Sequence, residues 1–278
     1  GVWSSVRRRG AWATTRTMRI DILTLLPEMV RHAAAHSILL RACEAGIATI
    51  RVVDIREHAS GKHRITDDTP CGGGGGMILK VEPVAHALDA LRQEGTPDRV
   101  ILMDPRGTPF RQQRARELAS LQWVVLICGR YEGVDDRIRQ HLVDEEISLG
   151  DFILTGGEIP ALAVADALIR LQPGALGDKE ASQKDSFSEN LLEYPQYTRP
   201  REFRGWREPD VLFSGNHALL QQWRRWHQLT LTRERRPDLW ARHELTQQDR
   251  QLLEHGEPGM QSEPGHGRSG NEPDHRRD

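Results

Sequence analysis

Two short apolar segments of this chain each run straight into glycines flanked by charge. The first is Leu126-Ile127-Cys128-Gly129-Arg130-Tyr131-Glu132-Gly133-Val134-Asp135; the second runs from Ile147-Ser148-Leu149-Gly150 through Asp151-Phe152-Ile153-Leu154-Thr155 to Gly156-Gly157-Glu158. A glycine turn at the end of a buried strand lets backbone N–H and C=O groups approach a ligand closely, because no Cβ stands in the way. Two such turns can hold one ligand from both sides. Neither is a dinucleotide fingerprint, since no G-x-G-x-x-G opens a helix, and neither is a P-loop, since no G-K-[ST] follows. A third glycine run, Gly72 to Gly76, has the make-up of an anion nest. It lacks the Lys-Ser/Thr continuation that a phosphate-binding hydrolase needs.

A second kind of chemistry is concentrated later in the chain. Between Arg199 and Arg242 there are ten arginines, five acidic residues, no lysine, and four of the seven tryptophans (Trp206, Trp223, Trp226, Trp240). Arginine forks suit phosphates, and arginine and tryptophan both offer faces on which bases stack. The bland alternative is a helical domain with a tryptophan core and solvated arginines.

These segments need a scaffold, and the patterning supplies one. The 278 residues suffice for one large or two modest domains with a sizeable core, and the composition suits a soluble globular protein. The longest apolar run, Trp123 to Cys128, is too short to cross a bilayer, so no membrane association is expected. Three cysteines (Cys43, Cys71, Cys128), widely spaced and without C-x-x-C, indicate neither a disulfide frame nor a zinc site, so a cytoplasmic location is expected and no metal site is assigned. Strands are expected at Arg19–Leu26, Ile47–Ile55, Arg99–Met103, Trp123–Cys128 and Glu146–Leu149. Helices are expected over Glu28–Ala45, Glu82–Glu94, Arg111–Ser120, Val134–His141 and Glu158–Leu171. This alternation argues for an α/β fold with a parallel sheet covered on both faces, and in such sheets ligands sit beyond the carboxyl ends of the strands. The glycine turns fall there. Helical patterns at His217–Thr230, Arg233–Arg242 and Thr246–Glu254 make a small C-terminal helical domain.

The expected organisation is therefore an α/β domain at 18–174, an interdomain linker at 175–200, a helical domain at 201–255 and a disordered tail at 256–278. Residues 1–17 carry four arginines and no acid. They read as a non-native or disordered extension outside the fold, with Met18 the expected start, rather than as a targeting segment.

Several separate segments resemble one family. They are Ile20-Asp21-Ile22-Leu23-Thr24-Leu25-Leu26-Pro27-Glu28-Met29, Arg64-Ile65-Thr66-Asp67-Asp68-Thr69-Pro70-Cys71 with Gly72 to Gly76 and Met77, and Asp104-Pro105-Arg106-Gly107. The two glycine turns, Asp185-Ser186-Phe187 and Tyr197-Thr198-Arg199-Pro200 complete the set. In this order they resemble the bacterial tRNA (guanine-N1)-methyltransferases, knotted enzymes of the SPOUT class, over Met18 to Glu254. The departures are Leu26 and Val30 in place of aromatic residues, Cys71 where tyrosine is usual, Gly75 in place of a more restrictive residue, and Ile147 where some members carry tryptophan.

The resemblance implies methyl transfer from S-adenosyl-L-methionine to N1 of guanine 37 in tRNA, next to the anticodon, with magnesium as a further candidate requirement. It implies a trefoil knot in the C-terminal half of the α/β domain and a homodimer whose active site lies at the subunit interface. The cofactor pocket would be made by Leu102, Pro105, Gly107, Gly129, Arg130, Gly133, Ile147, Gly150, Leu154, Gly156 and Gly157. Glu132 would orient the cofactor and is a candidate magnesium ligand, an ion pair with Arg130 being its purely structural alternative. Asp185 would take the N1 proton and Arg170 would hold charge developing on O6. A carboxylate's resting pKa near 4 is low for that proton, so Asp185 needs burial in the complex and simultaneous stabilisation of O6. Ser186, Tyr197 and Arg199, with Phe187 and Thr198, would help bind the anticodon arm. Against this stands a non-catalytic RNA-binding protein on the same scaffold, which would bind tRNA and not the cofactor.

Overall fold

A computed structural model of the chain describes residues 17–176, 186–187 and 189–259. The chain divides after residue 182 into two compact units. Unit 1 is built on a five-stranded sheet in the order β2-β1-β6-β5-β7, with every pairing parallel. The strands are β1 (Met18–Thr24), β2 (Ala48–Asp54), β5 (Arg99–Pro109), β6 (Trp123–Cys128) and β7 (Glu145–Ser148). Period-two alternation decides the two cores. Ile20, Ile22, Val124, Leu126 and Cys128 face one side, where they pack with α1 (Pro27–Ala34), α2 (Ser37–Glu44), α4 (Gln112–Ala119) and α6 (Glu158–Ile169). Leu23, Val125 and Ile127 face the other, against α3 (Val81–Arg92) and α5 (Asp136–His141). The expected parallel α/β fold is what the chain forms.

Several expected boundaries move, each for a local reason. The single helix expected over Glu28–Ala45 is two, because the Ala35 N–H doubles back onto Arg31 O and His32 O and His36 is extended. The strand expected to end at Met103 runs on to Pro109 through a bulge: Met103 and Thr108 both pair with Ile147, so Asp104 to Gly107 loop out of the sheet. The helix expected from Val134 begins at Asp136, since Asp135 caps it by accepting from the Arg137 N–H at 2.9 Å. The loop from Arg56 to Gly76 holds a short strand β3 (Asp67–Asp68), paired with β4 (Ile78–Leu79). Thr17, assigned to the N-terminal extension, donates its hydroxyl to Gly46 O at 2.9 Å.

Unit 2 is mainly helical. A hairpin, β8 (Glu202–Phe203) and β9 (Trp206–Arg207), turns through Arg204 and Gly205, both left-handed (φ 56 and 82). Helix α7 (His217–Arg235) is capped by Asn216 and runs five residues past its expected end at Thr230. The helix expected over Arg233–Arg242 shrinks to α8 (Pro237–Trp240), and α9 (Gln247–His255) starts with a Thr246/Asp249 capping box. Trp223, Leu229, Val211 and Leu239 form the core. Residues 256–259 of the expected tail are joined to it, because the buried Trp223 N–H needs an acceptor and finds Glu257 Oε1 at 3.0 Å.

Candidate functional site

The site is assembled from the carboxyl ends of β5, β6 and β7. β6 delivers Cys128, and the chain turns at once through Gly129–Gly133. Gly157 N–H donates to Gly129 O (2.8 Å), Glu132 N–H to Met77 O (3.1 Å) and Leu79 N–H to Gly133 O (3.1 Å). The first glycine turn is thus stitched to the second and to the exit of the glycine-rich loop. Tyr131 holds φ 63, uncommon for a residue with a Cβ, and such conformations gather at ligand sites.

The glycines have steric reasons. A Cβ on Gly157 would lie 2.7 Å from Cys128 Cα and 2.9 Å from Gly129 N. One on Gly107 would lie 2.5 Å from Ile147 N, so the bulge of β5 rests directly on the β7 backbone. Around Gly133 there is open space, and its φ of 142 alone calls for glycine. A Cβ on Gly76 would collide with Glu132 Cγ, which places the Glu132 side chain across the glycine-rich loop.

Sequence reasoning named Glu158 only as the end of a motif, yet it is a hub of the site. It is 1% exposed. Its Oε1 accepts from Thr24 Oγ1 at 2.8 Å, and its Oε2 pairs with Arg130 Nη1 at 3.3 Å. Thr24 in turn accepts from the Leu26 N–H at 2.9 Å. Arg130 therefore pairs with Glu158, and the alternative pairing with Glu132 is not formed. A Cβ on Gly156 would sit 2.5 Å from Glu158 Oε2 and 3.0 Å from Arg130 Nη1. A carboxylate one residue after Gly-Gly, at the first position of a helix, is a legible signal for an N-terminal charge. Its partner Thr24, 134 residues away, is not legible.

The remaining cofactor candidates divide by exposure. Leu102 and Ile147 are buried in the sheet and form its floor, while Pro105 is exposed on the bulge. Asp104 steadies that bulge by accepting from Arg106 N–H and Nε, both at 2.9 Å. Burial pushes the Asp104 carboxyl up, and the Arg106 hydrogen bonds and charge outweigh it, leaving the carboxyl below its ordinary range. Gly150 (φ 154) turns beneath the Phe152 ring, and Phe152, Ile153 and Leu154 present apolar side chains to solvent. Burial, helped by the Glu158 charge, pushes the Cys128 thiol well up, so it is neutral and no nucleophile.

The structure does not bring Arg170 to these turns. Arg170 is the C-cap of α6, and the 12 residues of that helix put about 18 Å between it and Gly156-Gly157 at its start. Asp185 lies outside the described residues. Ser186, Phe187, Tyr197, Thr198 and Arg199 belong to unit 2. There the Ser186 hydroxyl accepts from Glu193 N–H at 2.9 Å, Phe187 takes φ 72, and Tyr197, Thr198 and Arg199 are exposed. Among the described residues no three His, Cys, Asp or Glu side chains are grouped to hold a metal ion, and no helix is long and apolar enough to cross a membrane.

Comparison with known proteins agrees with this geometry. The sequence model of the family described as tRNA (Guanine-1)-methyltransferase TrmD matches residues 18–242. A tRNA (guanine-N(1)-)-methyltransferase of Staphylococcus epidermidis is 52% identical over 238 residues, covering 85% of this chain and 96% of the relative. One from Brevibacillus brevis is 52% identical over 236 residues, covering 85% and 97%. Among solved structures, the tRNA (m1G37) methyltransferase of Aquifex aeolicus superposes with a TM-score of 0.67 at 40% identity, covering 81% of this chain and 96% of that one.

Proposed function

The chain belongs to the tRNA (Guanine-1)-methyltransferase TrmD family, and from that premise we propose that it transfers a methyl group from S-adenosyl-L-methionine to N1 of guanine 37 in tRNA, next to the anticodon. The observation that carries the reading is the pair of glycine turns, joined by the Gly157–Gly129 hydrogen bond and locked by Arg130 and Glu158 at the ends of three parallel strands.

The residues present suit that cofactor. Backbone groups at 129–133 and 150–157 are free of Cβ crowding where the glycines stand, and Phe152 and Leu154 offer apolar wall to an adenine. When bound, the cofactor supplies an electrophilic methyl group on a sulfonium. The chain's part is to align guanine N1 with that methyl, to accept the N1 proton on Asp185, and to donate from the Arg170 guanidinium to O6 as charge develops there. On transfer, the N1 proton would come to rest on the Asp185 carboxylate.

Arg170 stands a helix length from the turns of its own chain. This supports a homodimer in which Arg170 and Asp185 of one subunit complete the cofactor site of the other. The exposed Leu26, Met29, Ile153 and Ile159 of unit 1 are apolar surface available to such a contact. The return of the chain from β7 past the carboxyl end of β5 to the Gly129 turn, with Gly107 pressed onto Ile147 and Gly157 onto Cys128, supports the trefoil knot. Unit 2, with its arginines and tryptophans, would grip the anticodon arm. A tRNA substrate makes the cytoplasm the expected place of action. Magnesium is a candidate requirement of the same reaction.

The test is calorimetric titration of S-adenosyl-L-methionine into the full chain and into Gly157→Ala. Saturable binding by the parent and its loss in the variant is expected. No binding by the folded parent would overturn the proposal.

A further inference from the structure

Unit 2 contains a cavity of about 460 Å³, within the roughly 300–1,000 Å³ of small-ligand pockets. Its walls include Tyr194, Tyr197 and Phe213, and the buried Trp223 forms its base. Tyr197 and Trp223 lie 6.4 Å apart between ring centroids, tilted by 52°. Trp223 is 1% exposed and its N–H is spent on Glu257, so it belongs to the core. Phe213 is 51% exposed but carries the Arg201 guanidinium 4.5 Å over its ring centre, whereas Tyr197 stands 48% exposed with no cation over its ring among the described residues.

Two arginines, Arg199 and Arg224, line the same cavity. Most arginines around them are already engaged. Arg201 pairs with Asp210 at 2.6 Å, Arg225 with Asp249 at 2.8 Å, and Arg236 with Asp238 at 2.7 Å. Among the described residues neither Arg199 nor Arg224 has an acidic partner, and the buried Arg224 Nε has no hydrogen-bond acceptor. The Arg224 guanidinium lies 4.9 Å from the Tyr194 ring centre, which holds its plane in place. One carboxylate, Glu208, also reaches the lining.

One open aromatic ring, two guanidinium forks without acidic partners and one acceptor match the parts of a nucleotide. The base stacks on Tyr197, the phosphate takes the forks, and Glu208 accepts from a base N–H. Stacking of this kind needs a base that is not paired in a helix, and bound single-stranded RNA is held in this manner. We propose that this cavity binds one unpaired nucleotide of the tRNA substrate, as a recognition site built wholly from unit 2. The proposal rests on the tRNA reading above.

The test measures tRNA KM, cofactor KM and kcat for Tyr194→Leu, Arg224→Ala and Tyr194→Phe, with ultraviolet crosslinking of 4-thiouridine-substituted tRNA to the parent chain. The first two variants are expected to raise tRNA KM about tenfold with cofactor KM unchanged, which a merely misfolded protein would not show. Tyr194→Phe keeps the ring and is expected to retain the parental tRNA KM. Crosslinked peptides should contain Tyr194 or Tyr197. An unchanged tRNA KM in both Tyr194→Leu and Arg224→Ala, with crosslinks confined to other peptides, would overturn the proposal while leaving methyl transfer standing. A parent chain that neither binds nor methylates tRNA would overturn both.

Discussion

Arg130 Nη1 lies 3.3 Å from Glu158 Oε2, and this ion pair fills the space a side chain at position 156 would need. The pair joins the turn after β6 to the first residue of α6, with Thr24 donating to the same carboxylate from the end of β1. Glu158→Ala would leave the guanidinium and the hydroxyl without their acceptor in a largely dry place. The loss is expected at about 2–3 kcal/mol, below the full cost for a buried pair because Arg130 is 21% exposed. Denaturant unfolding measures it. Glu158→Gln, which still accepts from Thr24, should lose less stability but raise the cofactor KM.

The glycines separate by mechanism. Gly157→Ala and Gly107→Ala force a Cβ onto backbone at 2.7 Å and 2.5 Å, where nothing flexible can yield. Each should cost about 1–3 kcal/mol, as overpacking does, with cofactor binding lost in Gly157→Ala and weakened in Gly107→Ala. Gly133→Ala meets open space and carries only the strain of its φ, about 1 kcal/mol. Thermal unfolding and cofactor titration of the three variants, side by side, would show that order. Equal effects would mean the close approaches are not what makes these positions glycine.

Unit 2 has its own acid sensitivity. Burial pushes the Asp249 carboxyl up, but the Arg225 fork (2.8 and 3.1 Å) and the Thr246 N–H outweigh it and hold the carboxyl at about 2. Arg225 also pairs with Glu189, and His243 Nε2 lies 3.8 Å from Asp249. A lowered folded-state pKa contributes stability above the unfolded value near 3.9, and this is lost as pH falls toward about 2. The contribution is about 2 kcal/mol. Asp249→Asn should lower stability at pH 7 and flatten its decline between pH 4 and 2, read by chemical unfolding across that range.

The homodimer proposed above has a consequence for mixed dimers. If Asp185 acts on the partner's cofactor site, Gly157→Ala and Asp185→Ala chains are each inactive alone and partly active together. Random pairing should restore about a quarter of the parental rate, since half the dimers are mixed and each holds one intact site. No recovery after confirmed subunit exchange would place Asp185 in the site of its own chain.

Much of this was legible in the residues. Short apolar runs at Arg19–Leu26 and Trp123–Cys128, alternating with helical patterns, gave strands of a parallel sheet, and the glycines after Cys128 and Leu149 marked the turns beyond its carboxyl ends. What was not legible depends on distant partners. Nothing near Glu158 announces Thr24, and nothing near Glu132 announces Gly76, which it covers. The bulge at Asp104–Gly107 hides inside a strand because its register is set by Ile147 on another strand. The Phe203–Trp206 hairpin had a local signal, a glycine between aromatic residues at Arg204-Gly205, that the helical patterning around it masked.

The most direct measurement is methyl incorporation. The parent chain and Asp185→Ala are incubated with tritiated-methyl S-adenosyl-L-methionine, magnesium and unmodified tRNA transcripts carrying guanine or adenine at position 37, and the product nucleoside is identified. The account predicts 1-methylguanosine at position 37 from the parent alone, and none from the adenine transcript or from Asp185→Ala. Methylation at another position or atom, or full activity without the Asp185 carboxylate, would contradict it.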